Sequence, residues 1–343
     1  MKEVIDAAVR KLKREANDRA TGFVIGNTSD LFLQGRFYET PLRSTPELIY
    51  SGMIVRDVET AEKVARLIDG RVEYVFVDDE KKIRNIYYGP EDVGNIEQEV
   101  RKIVKRSTLL TYKGNDLAVE SVDALVCNVL PAVSGSTVAV IGMGNFGSKV
   151  ALKLVERGVH VAVHRRDQKK LRMISAGLNH IKSADTISEI TPARTIAHAC
   201  RGVRVVIGIT NEKGVITRDT LKLADPAVVL VDAGKGCFHE DVASDPSFLI
   251  YRVDVSIMQK HIFLGLMHTH AHMQKSLGRR NIPELGATLI TMGLLARPGE
   301  VIVDDIERPS LVIGIAARGG VLEKNTPRVQ KRINEVKKIL KIK

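Results

Sequence analysis

Tryptophan is absent from these 343 residues, and aromatic side chains make up only 4% of them. So thin an aromatic complement offers no stacking platform for nucleic-acid bases, and no arginine-rich tract replaces it. Cysteine is scarce as well. Cys127, Cys200 and Cys237 are odd in number and widely separated, which argues against a disulfide framework and lacks the paired spacing of a structural metal site. No apolar run reaches eighteen residues, so no membrane-spanning helix is expected. The opening residues, MKEVIDAAVRKLKREAND, read as a charged amphipathic helix. They lack the apolar core of a secretory signal, and their acids argue against a transit peptide. A cytoplasmic protein with no membrane partner is expected.

What is present points to a two-domain globular protein. Apolar residues are 44% of the chain, ample for two cores. The formal net charge of +11 raises nucleic acid as a partner. The bases are spread along helices, however, apart from a lysine-rich helix at the C-terminal end. Such a surface equally attracts phosphorylated cofactors and carboxylates, and no nucleic-acid partner is expected.

The stretch from Thr137 to Arg166 organises the rest. Thr137 to Ile141 is apolar and β-branched, and it runs directly into Gly142-Met143-Gly144-Asn145-Phe146-Gly147. A helix-period segment to Arg157 follows, then Gly158, then a second apolar run from Val159 to Val163. Strand, glycine turn, helix and parallel strand form the context in which G-x-G-x-x-G signals a dinucleotide. Gly142 permits the tight turn, Gly144 lets a pyrophosphate approach the backbone, and Gly147 lets the helix pack on the sheet. The free N–H groups and dipole of the helix start favour the anion. Val150, Leu154 and Val155 supply its buried stripe.

The second strand ends in His164-Arg165-Arg166, and the first acid is Asp167. An enzyme selecting NAD usually places an acid here for the ribose 2′-hydroxyl. Two guanidinium groups instead suit a 2′-phosphate, so NADP is favoured. NAD stays open if the arginines are a solvated helix start.

Around this core the chain alternates helix and strand. The N-terminal part reads as helix Lys2 to Asn17, strand Gly22 to Ile25, and a polar loop from Asn27 to Arg43. It continues with strand Leu48 to Val55, helix Val58 to Leu67, strand Val72 to Val77, a helix capped by Asn95 and running to Lys105, and strand Ser107 to Tyr112. Asp116 then reads as the N-cap of a helix from Leu117 to Leu130, with Ala118, Val122, Leu125 and Val129 on its buried face. Beyond Arg166 the pattern gives helix Gln168 to Ser175 stopped by Gly177, a short strand near His180-Ile181 and a helix from Pro192 to Cys200. Strands Val205 to Ile209, Val228 to Val231 and Phe248 to Val253 complete six. Pro283 to Ala296 reads as a helix, Leu311 to Ala316 as an apolar run. Thr326-Pro327 opens a terminal helix with Val329, Ile333, Val336 and Leu340 on one stripe.

The expected class is α/β: a doubly wound parallel Rossmann sheet plus a smaller N-terminal α/β domain. The expected division is an N-terminal substrate domain, 1–115; a connecting helix, 116–135; a Rossmann NAD(P)-binding domain, 136–258; and a C-terminal segment, 259–343. By analogy the terminal helix packs back on the first domain, and the assembly is a homodimer.

Two family resemblances bear on chemistry. His164-Arg165-Arg166 with Lys169-Lys170, together with Gly114-Asn115-Asp116 before the connecting helix, resembles the NADP-dependent shikimate dehydrogenase-like group. In that group an Asn-Arg-Thr turn follows the second strand, and a catalytic aspartate lies in an Asn-Thr-Asp element. The group's lysine segment, Asn-Val-Thr-x-Pro-x-Lys, has no counterpart here. Lys113 is the nearest candidate, so the resemblance implies Lys113 and Asp116 as the catalytic pair. Val205 to Asp241 is similar to the cofactor domain of D-2-hydroxyacid dehydrogenases and adenosylhomocysteine hydrolases. That likeness implies that Thr210, Asn211, Asp232 and Gly234 line the cofactor pocket. The Arg-Glu-His catalytic set of the hydroxyacid dehydrogenases is not recognisable.

Reduction of C=O or C=N needs a proton donor opposite the hydride, a task for Lys113 with Asp116 tuning it. Lys235 and His239 are a second pair, and Cys237 beside them reads as a small loop residue. His268-Thr269-His270-Ala271-His272 could bind a metal, bind substrate or relay a proton, or be merely exposed or core histidines. No acid completes a metal set, and no metal is expected. The sequence thus points to an NADP-dependent oxidoreductase for a small polar, carboxylated metabolite. Two other classes stay open: a non-redox enzyme with tightly held NAD, and a cofactor-sensing regulator.

Overall fold

The computed structural model describes residues 1–28, 37–80 and 96–342. The chain divides into two compact units, Met1–Phe263 and Leu264–Lys343.

The first unit holds two sheets. Helix α1 (Lys2–Glu15) precedes β1 (Ala20–Asn27), β2 (Phe37–Ser44) and β3 (Leu48–Val55). Then come α2 (Val58–Ile68), β4 (Tyr74–Asp78), α3 (Ile96–Ile103) and β5 (Thr108–Tyr112). The strands lie in the order β2-β3-β1-β4-β5. All are parallel except β2, which runs antiparallel along the edge beside β3. Alternation explains the two faces. Phe23 and Ile25 point to a core with Ile5 and Leu12 of α1, Ala61 and Val64 of α2, and Val100 of α3. On the other side Tyr50, Phe76 and Tyr112 surround Phe263, with the Phe76 and Phe263 rings stacked at 4.0 Å. The residues at 37–44 form a strand where a loop from Asn27 to Arg43 was expected. The alternation there is weak because Phe37 to Ser44 is nowhere buried, as suits an edge. Asn27 instead ends β1, and residues 29–36 of that loop and the Asn95 cap lie outside the described residues.

The second sheet begins after α4 (Gly114–Val129) and is built from β6 (Thr137–Ile141), α5 (Asn145–Glu156), β7 (His160–His164), α6 (Gln168–Ile181) and β8 (Ile190–Pro192). It continues with α7 (Ile196–Ala199), β9 (Val205–Gly208), α8 (Arg218–Leu221), β10 (Val229–Asp232), α9 (Glu240–Ala243) and β11 (Leu249–Arg252). Its order is β11-β10-β9-β6-β7-β8, parallel throughout. That is the doubly wound order, with its reversal at β6. Val138 and Val140 face α4, α5 and α6, while Ala139 and Ile141 face α7, α8 and α9. A strand buried on both faces must be apolar along its buried length, as β6 is from Val138 to Ile141.

Three expectations fail here for local reasons. Helix α6 runs through Gly177, whose backbone stays helical, so His180 and Ile181 are its last turn and the third strand is Ile190–Pro192. A glycine without positive φ and without a following capping motif only weakens a helix. Helix α7 starts four residues late, because Thr195 caps it by accepting the His198 N–H. The buried face of α4 is Val119, Val122 and Val126, with Ala118, Leu125 and Val129 only partly covered.

Helix α10 (Ser256–Ala271) leads out of the first unit, and a π-helical turn, His272–Ser276, follows it. The second unit then forms β12 (Arg279–Ile282), β13 (Ala287–Thr291), β14 (Val301–Val303) and β15 (Val312–Ile315), in that spatial order, and ends with α11 (Pro327–Leu340). The helix expected from Pro283 to Ala296 is one 3-10 turn, Pro283–Leu285, followed by β13. Gly286, at φ 54°, ends that turn in the left-handed region. Val329 and Val336 of α11 are buried on this unit's own sheet, with Ile333 and Leu340 beside them. Thr326 caps the helix as expected. No helix among the described residues is long and apolar enough to cross a membrane.

Candidate dinucleotide site

The glycine turn lies at the carboxyl end of β6, where the strand order reverses. Each glycine has its own reason. Gly142 has φ 116°, and a Cβ on it would collide with the Ile209 carbonyl. A Cβ on Gly147 would collide with the Gly142 carbonyl, so helix α5 sits on the turn only because that side chain is missing. A Cβ on Gly144 would meet nothing within 4 Å. The outer glycines answer to the protein's own packing, and the middle one faces free space. Gly144 is also the N-cap of α5, with no side chain capping it and no acid in the first turn. The N–H groups of that turn and the positive end of the dipole are left for an anion. These residues fit a pyrophosphate.

Two adjoining cavities flank the turn. One of about 530 Å³ is lined by Gly142, Gly144, His164, Arg165, Arg166, Thr210 and Asn211 among the expected residues. The other, about 360 Å³, adds Asn145, Phe146, Gly147 and Gly234, and shares Gly142, Gly144, Thr210 and Asn211 with the first. Asp232 is in neither lining. It lies 8% exposed beneath the loop after β10, where its carboxylate accepts from the N–H groups of Gly234 and Gly236, both at 3.1 Å. Its position shapes the loop that presents Gly234. Lys235 lines the smaller cavity. Cys237 is buried, and burial pushes its thiol up, with the Thr210 backbone N–H pulling the other way. His239 is half exposed and turned toward Asp241 at 2.9 Å.

At the far end of the larger cavity the Arg165 guanidinium donates to the Met143 carbonyl at 2.6 Å. The Arg166 guanidinium pairs with Glu212 at 2.8 Å. Asp167 caps α6, accepting the Lys170 N–H at 2.9 Å. The first acid after β7 is thus engaged by its own helix. His164 is held through Nδ1 to the Ala193 carbonyl at 3.1 Å.

Lys113 and Asp116 sit where β5 passes into α4. The expected capping role of Asp116 is wrong. The helix starts at Gly114 because other acids serve its first N–H groups: Asp78 Oδ1 accepts from Gly114 at 3.1 Å and Glu80 Oε2 from Asn115 at 3.0 Å. Asp116 is therefore free of capping. Its carboxylate lies 3.8 Å from the Lys113 ammonium and accepts from Lys149 at 2.6 Å. Burial works to lower the Lys149 ammonium, but the bond to Asp116 and that carboxylate's charge outweigh it and hold it above the ordinary lysine range. Lys149 was missed in the sequence. It belongs to a ladder between α4 and α5, continued by Lys153 with Glu120 at 2.6 Å and Arg157 with Asp123 at 2.7 Å. Acids at 116, 120 and 123 and bases at 149, 153 and 157 each recur about once per helical turn, and that was the available signal. Because α5 begins at the glycine turn, the ladder ties the start of α4 to the dinucleotide loop.

The second unit carries His268 and His270 in the last turns of α10 and His272 in the π-helical turn. No three His, Cys, Asp or Glu side chains gather as a metal site would need, among the described residues.

A glycine turn at the reversal point of a doubly wound sheet, with an unobstructed helix start above it, defines a Rossmann domain of the dinucleotide-binding kind. Residues 127–243 match the family model described as D-isomer specific 2-hydroxyacid dehydrogenase, NAD binding domain. The protein is thus dehydrogenase-like in its cofactor domain, and the resemblance read from Val205 to Asp241 falls inside that match. A comparison with curated proteins finds no match. Among solved structures the chain is similar to dipicolinate synthase from Bacillus halodurans, at 16% identity over 72% of this chain and 97% of that one, with a TM-score of 0.34. Ornithine carbamoyltransferase from Pyrococcus furiosus gives 12% identity over 78% and 93%, with a TM-score of 0.44. CAD from Helicobacter pylori, complexed with NADP(H), gives 14% over 44% and 43%, with a TM-score of 0.33. Values this low do not distinguish one activity from another.

Proposed function

We propose that this protein is an NADP-dependent oxidoreductase that interconverts CH–OH with C=O, or CH–NH with C=N, in a small carboxylated metabolite. The observation that carries the reading is a dinucleotide groove ending at two guanidinium groups, with the first acid after β7, Asp167, engaged as a helix cap and Glu212 paired with Arg166. A 2′-phosphate would meet charge-assisted, bidentate donors there. The bound cofactor would supply the hydride. Lys113 would protonate the oxygen or nitrogen that gains charge and recover its proton from solvent, being 45% exposed. Asp116, fixed by Lys149, would hold the ammonium in place. Thr210, Asn211 and Gly234 would line the nicotinamide end.

The same reading includes the division at 115, 135 and 258, a substrate site in the N-terminal domain, a cytoplasmic location, a homodimer and no nucleic-acid partner. Turnover of NADPH with a panel of 2-oxo acids and their imines tests it. Consumption of NADPH in step with product is expected. NAD retained through purification with no net redox change would instead mark transient oxidation, and NADP binding without turnover of any substrate would mark a regulator.

A further inference from the structure

Arg166 and Glu212 leave the sheet on either side of the glycine turn. Arg166 follows β7 and Glu212 follows β9, and those strands flank β6. Their ion pair, 2.8 Å long, therefore bridges the end of β6, and both residues line the larger cavity. The backbone on the Glu212 side is set: the Thr210 hydroxyl donates to the Glu212 carbonyl at 2.6 Å. Arg165 is held differently, on the Met143 carbonyl of the turn itself. One guanidinium is thus fixed to the turn, and the other is occupied by a carboxylate of its own chain.

We infer that Glu212 is a specificity-determining residue, an internal competitor that occupies Arg166 until a 2′-phosphate displaces it. The inference rests on the proposed NADP preference. A phosphate ester brings more charge and more acceptor oxygens than a carboxylate, so it wins the exchange. A dinucleotide with a free 2′-hydroxyl has nothing to offer Arg166 and leaves the pair closed across the groove. Glu212 thereby lowers the absolute affinity for NADP. Because both partners are well exposed, at 86% and 53%, the effect is modest and screened by salt.

The test is a double-mutant cycle on the full chain, with NADP and NAD affinities measured by titration calorimetry at low salt. Glu212→Gln should tighten NADP about two- to fivefold and leave NAD nearly unchanged. In an Arg166→Ala background the same substitution should have no effect on NADP. Equal tightening for NADP and NAD, or the same gain with and without Arg166, would overturn the inference, since Glu212 would then act only as a general negative charge. A parent chain that prefers NAD would overturn the NADP reading first, and this inference with it. Intact NADP preference with a silent Glu212→Gln would overturn this inference alone.

Discussion

The two sheets of the first unit both present polar residues at the carboxyl ends of their parallel strands, but they assemble them differently. At the six-stranded sheet, one contiguous hexapeptide makes the turn, and the second strand contributes its arginines within the same thirty-residue stretch. At the five-stranded sheet the polar end is collected from distant segments. Asn27 ends β1 and donates to the Glu80 carbonyl at 2.7 Å, Asp78 ends β4, and Lys113 follows β5. The first arrangement is local and so carries a sequence signature. The second exists only once the strands pair, and nothing in the spacing from residue 27 to 78 to 113 announces it.

The comparison breaks most visibly at Lys113 and Asp116. If the end of the first sheet does the chemistry while the second only binds, Lys113→Ala and Asp116→Ala should bind cofactor normally and turn over about 10²–10⁴-fold more slowly. Steady-state kinetics on the confirmed substrate checks this, and near-parent turnover would reject the division of labour. On the other side, Gly144→Asp should leave the fold intact, since its Cβ meets open space. It should still weaken dinucleotide binding on the order of 100-fold by placing a carboxylate where the pyrophosphate belongs. Unchanged thermal unfolding with lost binding is the expected pair of results. Arg165→Ala combined with Arg166→Ala should weaken NADP roughly 10- to 100-fold and NAD far less; equal losses would remove the assignment of that end of the groove.

Smaller effects test how the two sheets are joined. Arg157→Ala removes both short bonds to the Asp123 carboxylate, which is only 4% exposed and keeps Lys153 at 3.9 Å. Arg157 itself is half exposed, so the loss is about 1–2 kcal/mol, read as a lower urea midpoint; no shift would mean that the ladder does not couple α4 to α5. The second unit supplies a contrast, since its acid response does not involve either sheet. Burial tends to raise the Asp304 carboxyl, but the Ser310 hydroxyl and the N–H groups of Ser310 and Leu311 hold it down at about 2. A depressed carboxyl stabilises the fold above its unfolded value of 3.8 and loses that contribution as pH falls toward about 2. Asp304→Ala should therefore reduce the acid sensitivity of the second unit in that window, followed by hydrogen exchange.

The same contrast explains what could be read in advance. The doubly wound class of the six-stranded sheet and five of its strands were legible because apolar runs and glycines act locally; the third was placed at His180-Ile181 instead of Ile190–Pro192. Asp232 was seen but given the wrong surroundings, since its own loop folds back over it. Lys149 and Glu212 were missed because their roles depend on partners 33 and 46 residues away, Asp116 and Arg166. The start of α4 was misread for a similar reason: its caps, Asp78 and Glu80, arrive from another strand. In the second unit Gly286 turned an apparent helix into a strand, and apolar Ala287 to Thr291 suits either by period alone.

The most direct measurement is the affinity of the purified full chain for NADP and for NAD under one buffer and salt concentration. A groove that ends in Arg165 and Arg166 predicts NADP at least about tenfold tighter. Equal affinities, or tighter NAD, would contradict it.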